Sequence, residues 1–392
     1  MEQEGSFMTA HLFRLRWYTV FFLLGLLVLC TCFAGQIQAE LQTAVNRCLT
    51  VIIPSLYAMM ILSQLFLESG AWQALARPLR RFSTALFGLP ESYFALFLLS
   101  QFAGYPVGAS MLCTLTKQGV LSKEDASRLL CVCYGGGPAF LLGLLGTVSC
   151  RRICFLLIFS ANLFANLLLC FLLFHRKPIL PPMNGNNAIA PFSAQMLTFA
   201  VTSAGRTLLK LCGMILCFAA LTGIFQAAGL FRCCTALMQQ LGVSFPLADL
   251  VRSVLEISNC VELPLPVSLR IPVLAGLLSF GGVCVLLQIC AVTGKTISVG
   301  KLVWARGFTG LLSGGICAAV LHFFPIAVSE QVLTTSAVPQ TAAHPVFPIL
   351  MLLCMMLLVF REEQKLQRSP CRKKECRINM RCCPKKHCIK IF

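Results

Sequence analysis

Apolar runs long enough to cross a lipid bilayer recur along this chain, and they restrict its fold more than any other feature. A membrane-spanning helix needs about 20 mainly apolar residues. Hydrophobic residues make up 57% of the chain and charged residues only 12%, more apolar side chains than a soluble core buries. The sequence therefore predicts an all-α, multi-pass membrane protein. The predicted spans are residues 17–34, 45–67, 153–174, 208–230 and 302–324, with a shorter terminal span at 346–360.

Basic residues set the predicted orientation of these spans. The formal net charge is +18, and much of it lies in short loops and in the C-terminal tail, where it favours the cytoplasm and anionic lipid. Arg14 and Arg16 place the N-terminus in the cytoplasm, and the basic tail places the C-terminus there. The charge therefore indicates the lipid bilayer as a partner and no nucleic acid.

Cysteine is frequent but predicts neither a disulfide scaffold nor a metal site. Most of the 23 cysteines lie singly in apolar runs, where a thiol behaves as a small hydrophobe. The cysteines of the tail do not fit the regular C-x-x-C pairs of a zinc ribbon. We therefore expect reduced thiols, no metal and no cofactor.

Two segments interrupt apolar runs with glycine and proline, and they organise the rest of the prediction. One is Gly104-Tyr105-Pro106-Val107-Gly108, and the other is Tyr134-Gly135-Gly136-Gly137-Pro138. Proline removes a backbone donor and glycine leaves helical geometry easily, so both segments should break a helix. A pair of such breaks is typical of a solute or ion pathway, whereas a kink that only assists packing explains either break alone.

Two flanking helices are also predicted. Residues 71–89 read as an amphipathic helix lying along the membrane surface, with Arg77, Arg80 and Arg81 opposite its apolar side. A further helix should begin at Ser122, because Asp125 follows three residues later.

The second half of the chain repeats the order of elements in the first half. Its interruptions at 257–264 and at Ser279-Phe280-Gly281-Gly282 correspond to the two first-half breaks. Internal repeats with matching broken helices indicate a transporter-like binding site. The predicted organisation is an anchor segment at 1–40, a first repeat at 41–174, a linker at 175–195, a second repeat at 196–325, a loop and span at 326–360, and a basic tail at 361–392.

Glu256 is the best placed of the few acidic residues in apolar surroundings. A carboxylate at membrane depth usually faces a cavity or a partner. The partner of Glu256 is predicted to be either Arg252, four residues earlier, or a solute or coupling ion. The predicted pathway residues are Ser100, Gly104, Tyr105, Pro106, Gly108, Tyr134, Gly136, Gly137, Pro138, Glu256, Asn259, Ser279, Gly281 and Gly282.

Catalytic motifs are missing from the sequence. It contains no H-E-x-x-H, no G-x-S-x-G and no Walker loop, so we predict neither an enzyme nor a nucleotide-driven pump. A carrier or channel driven by a gradient remains. The N-termini of half-helices suit a small carboxylate-bearing solute.

Several motifs resemble the YlbJ-type sporulation integral membrane proteins, part of the nucleoside-recognition or gate-domain group. The likeness covers roughly residues 45–325, and its motifs are Gln101–Ala109, Gly119–Ala126, Gly136–Phe140, Leu255–Asn259 and Leu278–Gly282. It implies gate-like repeats, a membrane of a sporulating cell, and transport of a small solute such as dipicolinate during spore maturation.

The chain departs from this family at Cys133-Tyr134-Gly135-Gly136, where the family usually carries asparagines. An amide contact to solute or backbone is therefore missing, or the Tyr134 hydroxyl replaces it. The alternative to transport is a non-transporting membrane scaffold for spore-envelope assembly, and a homo-oligomer is compatible with both.

Both termini are expected to face the cytoplasm, which requires an even number of complete crossings. A fluorescent reporter that folds only in the cytoplasm should therefore be active when fused to either end. Reporters that place the two ends on opposite sides would contradict the division into spans.

Overall fold

The computed structural model describes residues 2–145, 151–175 and 189–324, and within those ranges every regular element is a helix. The predicted terminal span, the tail and most of the linker lie outside the described residues. The α-helices, in chain order, are α1 Glu2–Cys32, α2 Ala34–Arg47, α3 Ile53–Ser69, α4 Ala71–Ala76, α5 Arg80–Phe82, α6 Glu91–Ala103, α7 Tyr105–Lys117, α8 Lys123–Leu130, α9 Pro138–Leu144, α10 Arg151–Phe174, α11 Ala194–Ala227, α12 Leu230–Gln240, α13 Leu247–Leu255, α14 Val267–Phe280, α15 Gly282–Thr293 and α16 Gly300–Phe323.

Five helical segments in the described part of the chain are long and apolar enough to cross a membrane. They are Ala34–Ser69, Arg152–Phe174, Ala194–Ala227, Ser268–Thr293 and Gly300–Phe323. A multi-pass membrane protein with an all-helical fold is therefore the architecture that the structure supports, as the apolar runs predict.

The first two predicted spans are divided differently in the structure. The apolar helix Trp17–Cys32 is too short to count among the five, and the first full-length candidate is Ala34–Ser69. That segment contains the predicted span 45–67 and Pro54. A π-helical turn at Cys48–Ile52 lies just before the proline, and such turns re-satisfy a hydrogen-bond ladder that proline disturbs.

The predicted amphipathic helix is a series of short helical segments from Ala71 to Phe87. It meets α6 at an angle of 98°. Trp72 and Phe87 are buried, whereas Phe82 is exposed together with the three arginines. The sharp bend separates this segment from the first broken helix.

The helix start predicted at Ser122 is confirmed. The Ser122 hydroxyl accepts a hydrogen bond from the Asp125 backbone N–H at 3.1 Å, and α8 begins at the next residue. A serine at this position satisfies one of the N–H groups that a helix start leaves unpaired.

The packing of α14 against α16 depends on small residues. A Cβ atom placed on Gly310 of α16 would lie 3.0 Å from the Gly276 carbonyl oxygen of α14, and one on Gly276 would lie 3.1 Å from the Gly310 oxygen. Between membrane helices, close backbone approach through small residues replaces the hydrophobic driving force that water supplies. This crossing places α16, and the side chains it carries, against the end of α14.

Replacing Gly310 by alanine should separate these helices and destabilise the protein by about 1–3 kcal/mol, the usual effect of overpacking. Gly315 lies on the same helix with open space at its Cβ position, so Gly315→Ala is the matched control. It should be neutral or stabilising by up to about 1 kcal/mol, because alanine is the better helix former. The thermal midpoint of the detergent-purified variants measures both effects, and equal midpoints would contradict the close-packing account.

Candidate solute pathway at the helix breaks

The first break is made by Gly104 alone. Its φ of +100° and ψ of 165° separate α6 from α7, in a region of backbone space open mainly to glycine. Pro106 lies in the first turn of α7 and Pro138 is the first residue of α9, positions where the missing N–H would be unpaired anyway. Both segments therefore interrupt helices as predicted, but the glycines form the breaks and the two prolines begin the helices that follow.

The second break spans residues 131–137 and packs directly on the first. A Cβ atom on Gly137 would lie 3.1 Å from the Gly104 nitrogen, and one on Gly136 would lie 2.9 Å from the Tyr105 hydroxyl. A Cβ on Gly108 would overlap the Cys133 carbonyl oxygen. The glycines in both motifs thus allow two stretches of non-helical backbone to touch.

Two tyrosines join these breaks to the second half of the chain. The Tyr105 hydroxyl donates to the Leu278 carbonyl, and the Tyr134 hydroxyl donates to the Phe280 carbonyl at 2.8 Å. Both carbonyls belong to the last turn of α14, where helical partners are missing, just before Gly281 with φ +86°. We name this meeting of three breaks the junction: residues 100–108, 131–138 and 278–282.

Two amide side chains donate hydrogen bonds to carbonyls of the second break. The Gln101 side chain donates to the Val132 carbonyl at 3.0 Å, and the Asn166 side chain donates to the Tyr134 carbonyl at 3.1 Å. Asn166 also donates to the Gln101 side-chain oxygen at 3.0 Å. The amide contacts to the backbone therefore come from α6 and α10, while the Tyr134 hydroxyl bonds to α14.

Arg306 of α16 is the functional candidate that the sequence analysis overlooked. It is fully buried, donates to the Asn166 side-chain oxygen at 3.0 Å and to the Cys131 carbonyl, and lies 4.6 Å from the centre of the Tyr134 ring. Among the described residues no carboxylate pairs with it, and its Nε has no hydrogen-bond partner. An ionisable residue inside an apolar run is itself a signal, but the sequence analysis considered only the acidic ones.

Two serines of the predicted pathway lie within the junction and are closed off by protein. Ser100 is 1% exposed and donates to the Phe97 carbonyl at 2.6 Å. Ser279 is 3% exposed, and its hydroxyl has no hydrogen-bond partner among the described residues. Both serines are therefore enclosed by protein in this structure.

Glu256 and Asn259 form a second polar cluster with a partner that was not predicted. The Arg47 side chain lies 3.6 Å from the Glu256 carboxylate and donates to the Asn259 side chain at 2.6 Å and to the Ser258 hydroxyl at 3.0 Å. Arg252 instead lies 4.0 Å from Glu40 of α2. The predicted alternative of an Arg252–Glu256 pair is therefore wrong.

A polar cleft lies beside this second cluster. Its volume is about 210 Å³, and its lining residues are Ala39, Glu40, Thr43, Arg47, Thr222, Asp249, Arg252 and Asn259. The start of α15 connects the two regions, because a Cβ on Gly282 would lie 3.0 Å from the Val254 carbonyl oxygen and 3.4 Å from the Ile257 nitrogen. All the predicted pathway residues thus belong to the junction or to the adjoining Glu256 cluster.

Comparison with protein-family models, with curated proteins and with solved structures finds no match for this chain. The resemblance to the YlbJ-type proteins therefore stays a prediction carried by the quoted motifs. Within the described residues, no group of three or more histidine, cysteine or acidic side chains is arranged to hold a metal ion.

Replacement by alanine should have a large effect on stability at Gly104 and a small one at Pro106. Gly104→Ala forces a side chain into a glycine-only conformation and places its Cβ 3.2 Å from Leu56, so it should destabilise the protein by about 1–3 kcal/mol. Pro106→Ala keeps the first turn of α7 and should change stability by less than about 1 kcal/mol. Thermal unfolding of both variants in detergent tests this, and a larger loss of stability in Pro106→Ala than in Gly104→Ala would show that the proline forms the break.

Proposed function

We propose that this chain is an integral membrane transporter for a small carboxylate-bearing solute, built from two related repeats whose broken helices meet at the junction. The observation that carries the proposal is Arg306, a buried guanidinium at the junction that no described carboxylate neutralises. A buried charge is costly unless it is paired. An anionic solute would supply the missing counter-charge.

The hydrogen bonds between the two halves support alternating access. The Tyr105 and Tyr134 hydroxyls donate to carbonyl groups of α14 that lie 173 and 146 residues away in sequence, respectively. Hydroxyl–carbonyl bonds of this kind contribute about 1 kcal/mol each, so they can exchange for solvent or solute contacts. In many transporters broken helices from two repeats provide such a movable site.

The resemblance to the YlbJ-type family adds finer detail to this proposal. It suggests a membrane of a sporulating bacterium as the location and dipicolinate as the first solute to test. It also suggests gate-like repeats, for which the breaks at Gly104, 131–137 and Gly281 are the corresponding elements.

The alternative is a non-transporting membrane scaffold for spore-envelope assembly. The tight packing of the junction favours the scaffold, because Ser100 and Ser279 are almost fully buried and glycines bring the breaks into direct contact. A scaffold needs Arg306 only to hold the 131–137 segment through the Cys131 carbonyl and Asn166.

Flux through proteoliposomes separates the two functions. The purified chain should accumulate radiolabelled dipicolinate above empty liposomes, and Arg306→Gln should lower the transport kcat/KM by at least about 10-fold, since a charge-assisted hydrogen bond contributes about 1.5–3 kcal/mol. Arg306→Lys keeps the charge without the planar fork and should fall between the two. The exposed Arg81 provides the control Arg81→Gln, which should transport like the unaltered protein.

Two outcomes would contradict the proposal. One is a lack of flux for dipicolinate and for other small carboxylates in a correctly folded protein, which favours the scaffold. The other is unchanged flux in a folded Arg306→Gln variant, which would reduce Arg306 to a structural residue.

A further inference from the structure

The polar cleft beside Glu256 is lined by two guanidinium groups from different helices. Arg47 belongs to α2 and Arg252 to α13. Each already holds a carboxylate, since Glu256 lies 3.6 Å from Arg47 and Glu40 lies 4.0 Å from Arg252. The α2 helix supplies the arginine of one pair and the acid of the other. The α13 helix and the residue after it supply the remaining arginine and acid.

Both ion pairs are long, and three of their four side chains line the cleft, whereas Glu256 is buried beside it. Their nitrogen–oxygen distances exceed the roughly 2.7–2.9 Å of a strong charge-assisted hydrogen bond. The side chains of Arg252 and Glu40 are 26% and 29% exposed, and that of Arg47 is 15% exposed. A carboxylate that enters the cleft can therefore reach guanidinium groups that otherwise pair with carboxylates of the protein.

Other contacts hold the two arginines ready for a ligand. Arg47 donates to the Asn259 side chain at 2.6 Å. Arg252 donates to the Gln226 side-chain oxygen and lies 4.4 Å from the centre of the Phe231 ring. These neutral partners fix both guanidinium groups without using their charge, which lowers the entropy lost on binding.

We infer that this cleft is a binding site for the carboxylate groups of a small organic anion, with Arg47 and Arg252 as its anion ligands. The inference rests on the proposed function and deepens it by adding a second site, separate from Arg306. A volume of about 210 Å³ corresponds to about seven water molecules at roughly 30 Å³ each, enough for a small organic acid and too little for a peptide. A carboxylate ligand is favoured over a phosphate because both arginines already pair with carboxylates, those of Glu256 and Glu40.

Binding at this site is an exchange. Glu256 and Glu40 already contact the two arginines, and Asp249 also lines the cleft, so an incoming anion competes with protein carboxylates. Removing an acid should therefore strengthen binding. A purely structural pair of ion bridges predicts the reverse, because each acid would then only support the fold.

Titration calorimetry on the detergent-purified full chain tests this without requiring transport. The probe is pyridine-2,6-dicarboxylate, and its uncharged diamide is the control ligand. Arg252→Gln should weaken binding at least tenfold. Glu40→Gln should strengthen it roughly two- to fivefold, the range expected when an exposed competing ion pair is removed. The matched controls Arg81→Gln and Glu124→Gln, both exposed and outside the cleft, should leave the affinity unchanged.

Each result decides one question. Weaker binding by Glu40→Gln, or unchanged binding by a folded Arg252→Gln, would overturn the inference. Binding of inorganic phosphate or of the diamide in place of the dicarboxylate would overturn it as well. If the chain binds the probe with this pattern of variants but shows no flux, the cleft assignment holds and the proposed function fails. If the chain transports dipicolinate while the cleft variants bind the probe with unchanged affinity, the proposed function holds and the cleft assignment fails.

Discussion

The fold depends on satisfying non-helical backbone inside an apolar protein. Each break frees carbonyl groups that water would normally bond, and in a membrane the protein must bond them itself. Here the partners are side chains from other helices: Tyr105 and Tyr134 on the end of α14, and Gln101, Asn166 and Arg306 on the segment 131–137. These bonds connect α6, α7, α10, α14 and α16, so the breaks help to hold the two halves together.

The positions of the breaks were predictable, whereas their partners were not. Glycine clusters in an apolar run are a local signal, and Gly104, 131–137 and Gly281 all interrupt helices as expected. Arg306 lies 140 residues from Asn166 in sequence, and nothing local connects two such residues. The breaks were predicted in part from proline, but Pro106 and Pro138 each begin a helix, a position that favours proline.

The pairing of Glu256 shows why a spacing of four residues does not always give an ion pair. Residues four apart face each other only when both lie in one helix. Glu256 has φ −136° and ψ 112°, an extended conformation at the end of α13, so its side chain turns away from Arg252. It meets Arg47 instead, a residue of the first half whose position depends on how α2 packs against α11.

The two arginine sites of the proposed pathway differ in how far their positive charge is already neutralised by protein carboxylates. Arg47 and Arg252 are partly exposed and each has a carboxylate, whereas Arg306 is buried and has only the neutral groups of Cys131, Asn166 and Tyr134. A solute that reaches Arg306 can bond to its Nε, which has no partner among the described residues, or take the place of the Cys131 carbonyl. The second exchange removes one of the contacts that hold the segment 131–137, whose Tyr134 bonds to the end of α14. In the proposed transporter, binding of an anion at that position would therefore weaken a contact between the two halves.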